Sequence, residues 1–210
     1  MRVDFVPGAV SGRAFYALLN SVVVPRPIAW VSSRSADGVL NLAPHSFFTV
    51  ACVRPPMVQF TSVGRKDSLN NVEATGEFVV NFASEPLYEQ VNASATDFPP
   101  EISEFAAVGL TTEPSTTVAV PRVAESPVAI ECTLHTTLEL GDCTVVIGQV
   151  RHIAVDSSVL DGDHPEITRL RPLARLGKDE WSTIGEIRSI SRIKNSDWPG
   201  HFTPPETDAR

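Results

Sequence analysis

Between residues 21 and 62 the chain runs through four apolar, β-branched segments joined by connectors of only a few residues, and this spacing is what most limits its fold. The segments are 21–33, 39–43, 46–52 and 57–62. Two neighbouring parallel strands need a crossover of a dozen or more residues, so these segments favour an antiparallel meander or a barrel over βαβ units. Pro25 and Pro27 lie two apart in the first segment, where their missing donors suit an edge or a bulge. Asp37-Gly38 marks a turn and Pro55-Pro56 a break. By strand alternation, at least one of the adjacent Phe47 and Phe48 faces the core.

The rest of the chain fits around this β half. Residues 12–20 read as a short helix with Phe15, Leu18 and Leu19 on one face and Ser11 as its cap. Residues 67–75 read as a second helix, capped by Asp67 and ended by Gly76, and 77–82 as a further strand. Residues 41–46, polar and carrying Pro44, read as a loop. From 84 to 107 the pattern becomes helical, over 85–94 and 101–107 with a break at 97–100, which predicts an excursion packed beside the barrel. The β pattern then returns with a short strand at 118–120 and a hairpin of 128–138 with 142–156 turning at Gly141. Gly148 predicts a bulge or a close approach inside that hairpin. Residues 164–171 read as a short helix, 186–193 as a last strand, and the tail from 199 as loose. The expected fold class is mainly β, with residues 1–198 as a single domain.

Composition narrows the function. With 17 Lys and Arg against 25 Asp and Glu, the formal net charge of −8 argues against nonspecific binding to nucleic acid or anionic membrane. No apolar run approaches the roughly 18 residues of a spanning helix, and no signal-peptide core follows Met1, so a cytoplasmic protein is expected. Cys52, Cys132 and Cys143 are too few for a disulfide framework and sit in or beside apolar runs, which predicts buried structural thiols. The five histidines show neither HxH nor HExxH, so no metal site is expected. Neither GxSxG, GxxxxGK[ST] nor GxGxxG occurs, which disfavours a nucleophile elbow, a P-loop and a Rossmann site.

Three constellations carry chemistry. Gly64-Arg65-Lys66-Asp67-Ser68 follows a strand and opens a helix, offering an anion two cations, a hydroxyl and free N–H groups; the plainer alternative is a solvated charged turn. Pro25-Arg26-Pro27 with Asn41 to Phe48 offers backbone groups and apolar side chains to a planar heterocycle, or else is a structural loop with its phenylalanines in the core. Gly141-Asp142-Cys143 and Arg175-Leu176-Gly177-Lys178 come with Trp181, which either covers a flat ligand or a partner subunit, or is core.

Taken together and in order, VVVPRPIAWVSS, DGVLNLAPHSFF, PPMVQF, GRKDSLNNV, TGEFVVNF, ESPVAIECTL, LGDCTVVIGQV and RPLARLGKDEW resemble the flavin reductase-like family, the FMN-binding split barrels, over roughly residues 22–193. The resemblance implies a Greek-key split barrel that forms a homodimer with FMN near the subunit interface. It further implies that Asn41, Leu42, Ala43 and Ser46 hold or flank the isoalloxazine ring, largely through backbone groups. Ser62, Arg65, Lys66 and Ser68 would hold the phosphate. Arg26 would lie near the flavin, and Arg175 and Trp181 near FMN or the dimer contact. The implied reaction is hydride transfer from NADH or NADPH to flavin, with electrons passing on to an acceptor such as a partner protein. The cofactor carries that chemistry, so no side chain is assigned as catalytic. The alternative is a non-catalytic FMN-binding module that exchanges electrons with a protein partner. Two departures stand out: Cys143 occupies the place of a histidine common in relatives, and Ser68 that of a threonine.

Overall fold

The computed structural model describes residues 1–198. Seven strands form one antiparallel sheet: β1 (Ala29–Arg34), β2 (Leu40–His45), β3 (Phe48–Cys52), β4 (Met57–Val63), β5 (Glu77–Phe82), β6 (Val128–Leu140) and β7 (Cys143–Val155), in the order β2-β1-β5-β6-β7-β4-β3. The two edge strands, β2 and β3, follow each other in the chain. Ser46 and Phe47 alone join them, and three peptide steps reach at most about 11 Å, so the sheet must curl until its edges meet. They meet through side-chain packing rather than a paired ladder, while the β3–β4 ladder runs one residue beyond Phe48 into the connector. The His45 ring lies 4.7 Å from that of Phe60 on β4, and Thr61 N donates to Phe47 O at 2.9 Å. The result is a split barrel.

Helix α2 (Asp67–Thr75) fills the barrel's open end. Its Leu69 and Val72 join Ala29, Val31, Val58, Phe60, Phe78, Val80, Cys132 and Val146 in the main core. A second core lies outside the barrel wall, where Ile28, Trp30 and Leu42 meet Leu87, Val91 and Phe105 of the helical excursion. That excursion comprises a 3₁₀ turn (Glu85–Leu87), α3 (Tyr88–Ala93) and α4 (Glu104–Ala107). Trp30 Nε1 donates to Ser94 Oγ at 2.9 Å and ties the two layers together. Residues 114–121 cover the far side of β5 and β6, held by the fully buried Glu131 carboxylate, which accepts from Thr116 N at 2.8 Å and Thr117 N at 2.6 Å. Because of those bonds Glu131 titrates below the ordinary carboxylate range: burial pushes it up, but the donors of Thr116 and Thr117 together with nearby His152 outweigh that push.

Several expectations need correction. Residues 21 and 22 are helical, because α1 (Gly12–Val22) runs on to Val22; strand structure begins at Arg26–Pro27, in a separate small sheet, and enters the barrel at Ala29; Ser11 does cap α1, accepting from Ala14 N. Residues 41–45 form edge strand β2 rather than a loop: on an edge, Pro44 removes no ladder bond. Lys66, not Asp67, is the N-cap of α2. Residues 118–120 form no strand, whereas Thr112–Glu113 pairs with Arg122–Val123. Helix α5 is confined to Ile167–Leu170, and 186–193 form no strand. Of the three thiols only Cys132 is buried. Gly148 is both bulge and close approach, since the β6–β7 register shifts there and a Cβ would stand 2.2 Å from Phe78 Cζ. The tail from 199 lies outside the described residues. No described helix is long and apolar enough to cross a membrane.

Candidate functional site

The curl that brings β2 against β4 leaves a cleft of about 550 Å³ between the split edge, the start of α2 and the segment after α3. Asn41, Ala43, Pro44, His45, Ser46 and Phe47 form one wall, Thr61, Val63 and Arg65 to Ser68 supply another, and Ser94 to Phe98 with Glu104 and Tyr16 complete it.

The β2 wall presents an unpaired edge. In an antiparallel pair the backbone groups of alternate residues point away from the partner, and Leu42 N proves the parity by donating to Glu104 Oε2 at 2.9 Å instead of to β1. Glu104 is 6% exposed, and burial together with the charge of Asp67 raises its carboxyl above the usual range against the pull of the Leu42 N–H. The Leu42 side chain itself is in the second core, away from the cleft.

The opposite wall is built for negative charge. Lys66 caps α2 without a side-chain bond, so the first-turn N–H groups and the positive end of a nine-residue helix open between Arg65, Lys66 and Ser68. Both cations already have acidic neighbours: Arg65 Nη2 lies 2.5 Å from Glu73 Oε2 and 3.0 Å from Asn70 Oδ1, and Lys66 Nζ lies 3.2 Å from Asp97 Oδ1. Exposed pairs of this kind contribute about 1 kcal/mol or less, so a doubly charged anion can displace them. Ser62 is fully buried, and its hydroxyl donates to Gly64 O at 2.8 Å, shaping the turn rather than lining the cleft.

Arg26, Arg175 and Trp181 form a separate group. Arg26–Pro27 pairs with Ala174–Arg175, which pairs with Trp181–Ser182. Arg26 is 7% exposed and, among the described residues, has no carboxylate partner; its guanidinium donates to Asn20 O, Val23 O, Leu176 O and, at 3.4 Å, Ser46 Oγ. Burial and then Arg175 lower its pKa. Arg175 lies over Trp181 at 4.7 Å, and Trp181 packs on the second core and on Tyr88. None of these three side chains lines the cleft.

The sequence reading missed Glu104, Thr61, Tyr16 and the 94–98 segment as parts of the site, and held His45 only as a member of the Asn41 to Phe48 stretch. A run of small polar residues between two short helices, Ser94-Ala95-Thr96-Asp97, is the one local signal of a cleft wall.

Residues 21–173 match the family model described as flavin reductase like domain. An uncharacterized protein of Aquifex aeolicus is 40% identical over 181 residues, 83% of this chain and 92% of its own length. The crystal structure of nitrilotriacetate monooxygenase component B from Bacillus cereus superposes with a TM-score of 0.87 at 30% identity, over 90% of this chain and 99% of that one. The crystal structure of the 2-nitrobenzoate 2-nitroreductase of Pseudomonas fluorescens superposes with a TM-score of 0.86 at 27% identity, over 98% of this chain and all of the other.

Proposed function

The chain belongs to the flavin reductase like domain family, and from that membership and the build of the cleft we propose that it is an FMN-dependent oxidoreductase passing hydride from NADH or NADPH to flavin. One observation carries the reading: an open helix start flanked by Arg65, Lys66 and Ser68 faces the same cleft as the free edge of β2. A phosphate-bearing heterocycle needs those two ends in one cavity, the first for the anion and the second for the carbonyl and N–H groups of a planar ring.

Arg65, Lys66 and Ser68 are assigned to the phosphate, and Asn41, Ala43 and Ser46 to the ring. Ser62 acts one step back, holding the Gly64 turn, and Leu42 through its backbone. Arg26 steadies Ser46, while Arg175 and Trp181, which do not line the cleft, are assigned to the neighbourhood of FMN or to the dimer contact. Bound FMN supplies the ring that accepts hydride from a reduced nicotinamide. The chain's own part is to neutralise the phosphate and to orient the ring along β2.

Residues 1–198 act as one domain, in a cytoplasmic homodimer. A dimer is supported by α1, which buries no residue and leaves Tyr16, Leu19 and Val22 about half or more exposed beside Val23 and Val24. The names of the two solved relatives, a monooxygenase component and a nitroreductase, support either a partner protein or a small nitroaromatic as electron acceptor.

A second reading, an FMN module that exchanges electrons with a protein without oxidising nicotinamide, is favoured by Cys143. This thiol is raised above its ordinary pKa by burial and by its bond to Asp142, so a neutral group stands where many relatives have an imidazole.

Absorbance spectra of the protein titrated with FMN, then with NADH or NADPH, test both readings. Stoichiometric FMN uptake followed by bleaching supports the reductase; uptake without bleaching by either nucleotide selects the second reading. No uptake removes both. Replacing Arg65 and Lys66 with alanine is expected to weaken FMN far more than riboflavin, and equal losses would move the phosphate elsewhere.

A further inference from the structure

Behind the anion end of the cleft, four polar side chains from three elements are buried together: Ser33 of β1 (0% exposed), Asn41 of β2 (8%), and Ser68 (2%) and Asn71 (9%) of α2. Their bonds form one chain. Asn71 Nδ2 donates to Ser33 Oγ at 3.2 Å, and Asn41 Nδ2 donates both to Ser33 Oγ at 3.3 Å and to Ser68 Oγ at 3.1 Å. Asn41 and Ser68 line the cleft; Ser33 and Asn71 do not.

The valences decide what this arrangement does. An amide NH₂ has two hydrogens, and those of Asn41 are both used within the network. A hydroxyl has one hydrogen and two lone pairs. Ser33 Oγ, accepting from two amides, has both pairs filled, which pins the Asn41 NH₂ group from behind. Ser68 Oγ accepts from Asn41 and therefore does not give Asn41 its own hydrogen. Among the described residues the Ser68 hydroxyl donates to no other group, and its side of the network opens on the cleft.

We infer that Ser33 and Asn71 are positioning residues: through Asn41 they turn the Ser68 hydroxyl outward, so that its hydrogen is offered to an anionic oxygen in the cleft. Asn41 then ties the strand to the anion end, its backbone paired with Ser33 of β1 and its amide turned to the phosphate side. The inference rests on the assignment of the anion end to the FMN phosphate.

The test compares dissociation constants for FMN and riboflavin in the wild type, Ser33→Ala, Asn71→Ala, Ser68→Ala and the Ser33→Ala/Ser68→Ala double variant, each checked for folding by thermal melting. Ser68→Ala removes one hydrogen bond to a charged acceptor and is expected to weaken FMN about 10-fold or more. Ser33→Ala and Asn71→Ala are expected to weaken FMN about 3- to 10-fold while leaving riboflavin within about 2-fold, because only the phosphate meets the hydroxyl. The double variant is expected to bind FMN no worse than Ser68→Ala alone, since the effect of Ser33 runs through Ser68. If Ser33→Ala does not fold, Asn71→Ala carries the same comparison. Equal losses for the two flavins, or additive losses in the double variant, would overturn the inference while leaving the flavin assignment intact. A wild type that does not prefer FMN to riboflavin would instead remove the phosphate assignment, and the inference with it.

Discussion

His45 gives the structure a pH signature that can be worked out in advance. It closes β2, its ring packs on Phe60 at 4.7 Å, and its buried Nε2 has no hydrogen-bond partner among the described residues. Burial first, and the charge of Lys66 in addition, lower its pKa to about 4 against the opposing pull of Thr61. An unfolded histidine titrates near 6.5, so as pH falls the unfolded chain takes up this proton before the folded one does. Stability is therefore fully present above the unfolded value and is lost downward, levelling off below the folded one. Integrating the proton linkage between a pKa of 6.5 and one of about 4 gives a loss of about 2 kcal/mol from pH 7 to pH 5, and about 3 kcal/mol by pH 4. The assay is urea unfolding of the protein and of His45→Gln at pH 7, 6, 5 and 4.5. With a slope of about 2 kcal/mol per molar for a chain of this size, the wild-type midpoint is expected to fall by about 1 M more than the variant's between pH 7 and pH 5. Glu131, whose lowered pKa withdraws support only as pH drops below the ordinary carboxylate range, and Glu104, whose raised pKa acts in the opposite sense, are common to both proteins and cancel in the comparison. Midpoints that move in parallel would refute the claim that His45 is held neutral.

Three further outcomes follow from the same geometry. Gly148→Ala puts a methyl group against the buried Phe78 ring, 2.2 Å from Cζ and 2.6 Å from Cε1, and is expected to cost about 2–3 kcal/mol, partly recovered by adding Phe78→Leu; melting within a degree or two of wild type would show that the ring yields freely. Asp97→Asn releases Lys66 from its cleft-side partner and is expected to tighten FMN about 2- to 5-fold at low salt, with the gain shrinking as salt is added; weaker binding would mean that Asp97 contacts the ligand favourably. Cys143→His changes a half-buried residue at the start of β7, opposite Val63 and Leu140, and is expected to leave melting and FMN affinity nearly unchanged while altering the rate of NADH or NADPH oxidation; a collapsed fold would show that the thiol is core.

Most of the barrel was legible because strand pattern and short connectors are local properties. The bounds of α2 and β5 were read to the residue, since Gly76, with φ 75°, separates a helical from an alternating pattern. The misreadings share one cause: a strand is defined by its partner, which periodicity does not supply. Residues 41–45 look like a loop because Pro44 and Asn41 interrupt the apolar pattern, yet β1 offers a ladder whose other side stays free. Residues 186–193 alternate well, but among the described residues no strand pairs with them, and Ile187 and Ile190 remain 56% and 90% exposed.

The site divides along the same line. Arg65, Lys66 and Ser68 are neighbours in sequence and at a helix start, so their grouping at one wall of the cleft is visible without a structure. Glu104 reaches Leu42 across 62 residues, and nothing near it in sequence marks it as a cleft residue. Arg26 was legible as a residue near the site but not in what it does there. A buried guanidinium ordinarily needs a carboxylate, and this one is satisfied instead by carbonyl dipoles: Asn20 O and Val23 O at the end of α1, where the helix dipole favours a cation, and Leu176 O, 150 residues away. Gly177 completes the junction, since a Cβ there would stand 2.4 Å from Ser21 Oγ, so the late motif reaches α1 only because it carries glycine. The bond from Arg26 to Ser46 and the Phe47 ring 6.0 Å from its guanidinium join the late motif to the cleft wall, while α1 also reaches the cleft directly through Tyr16.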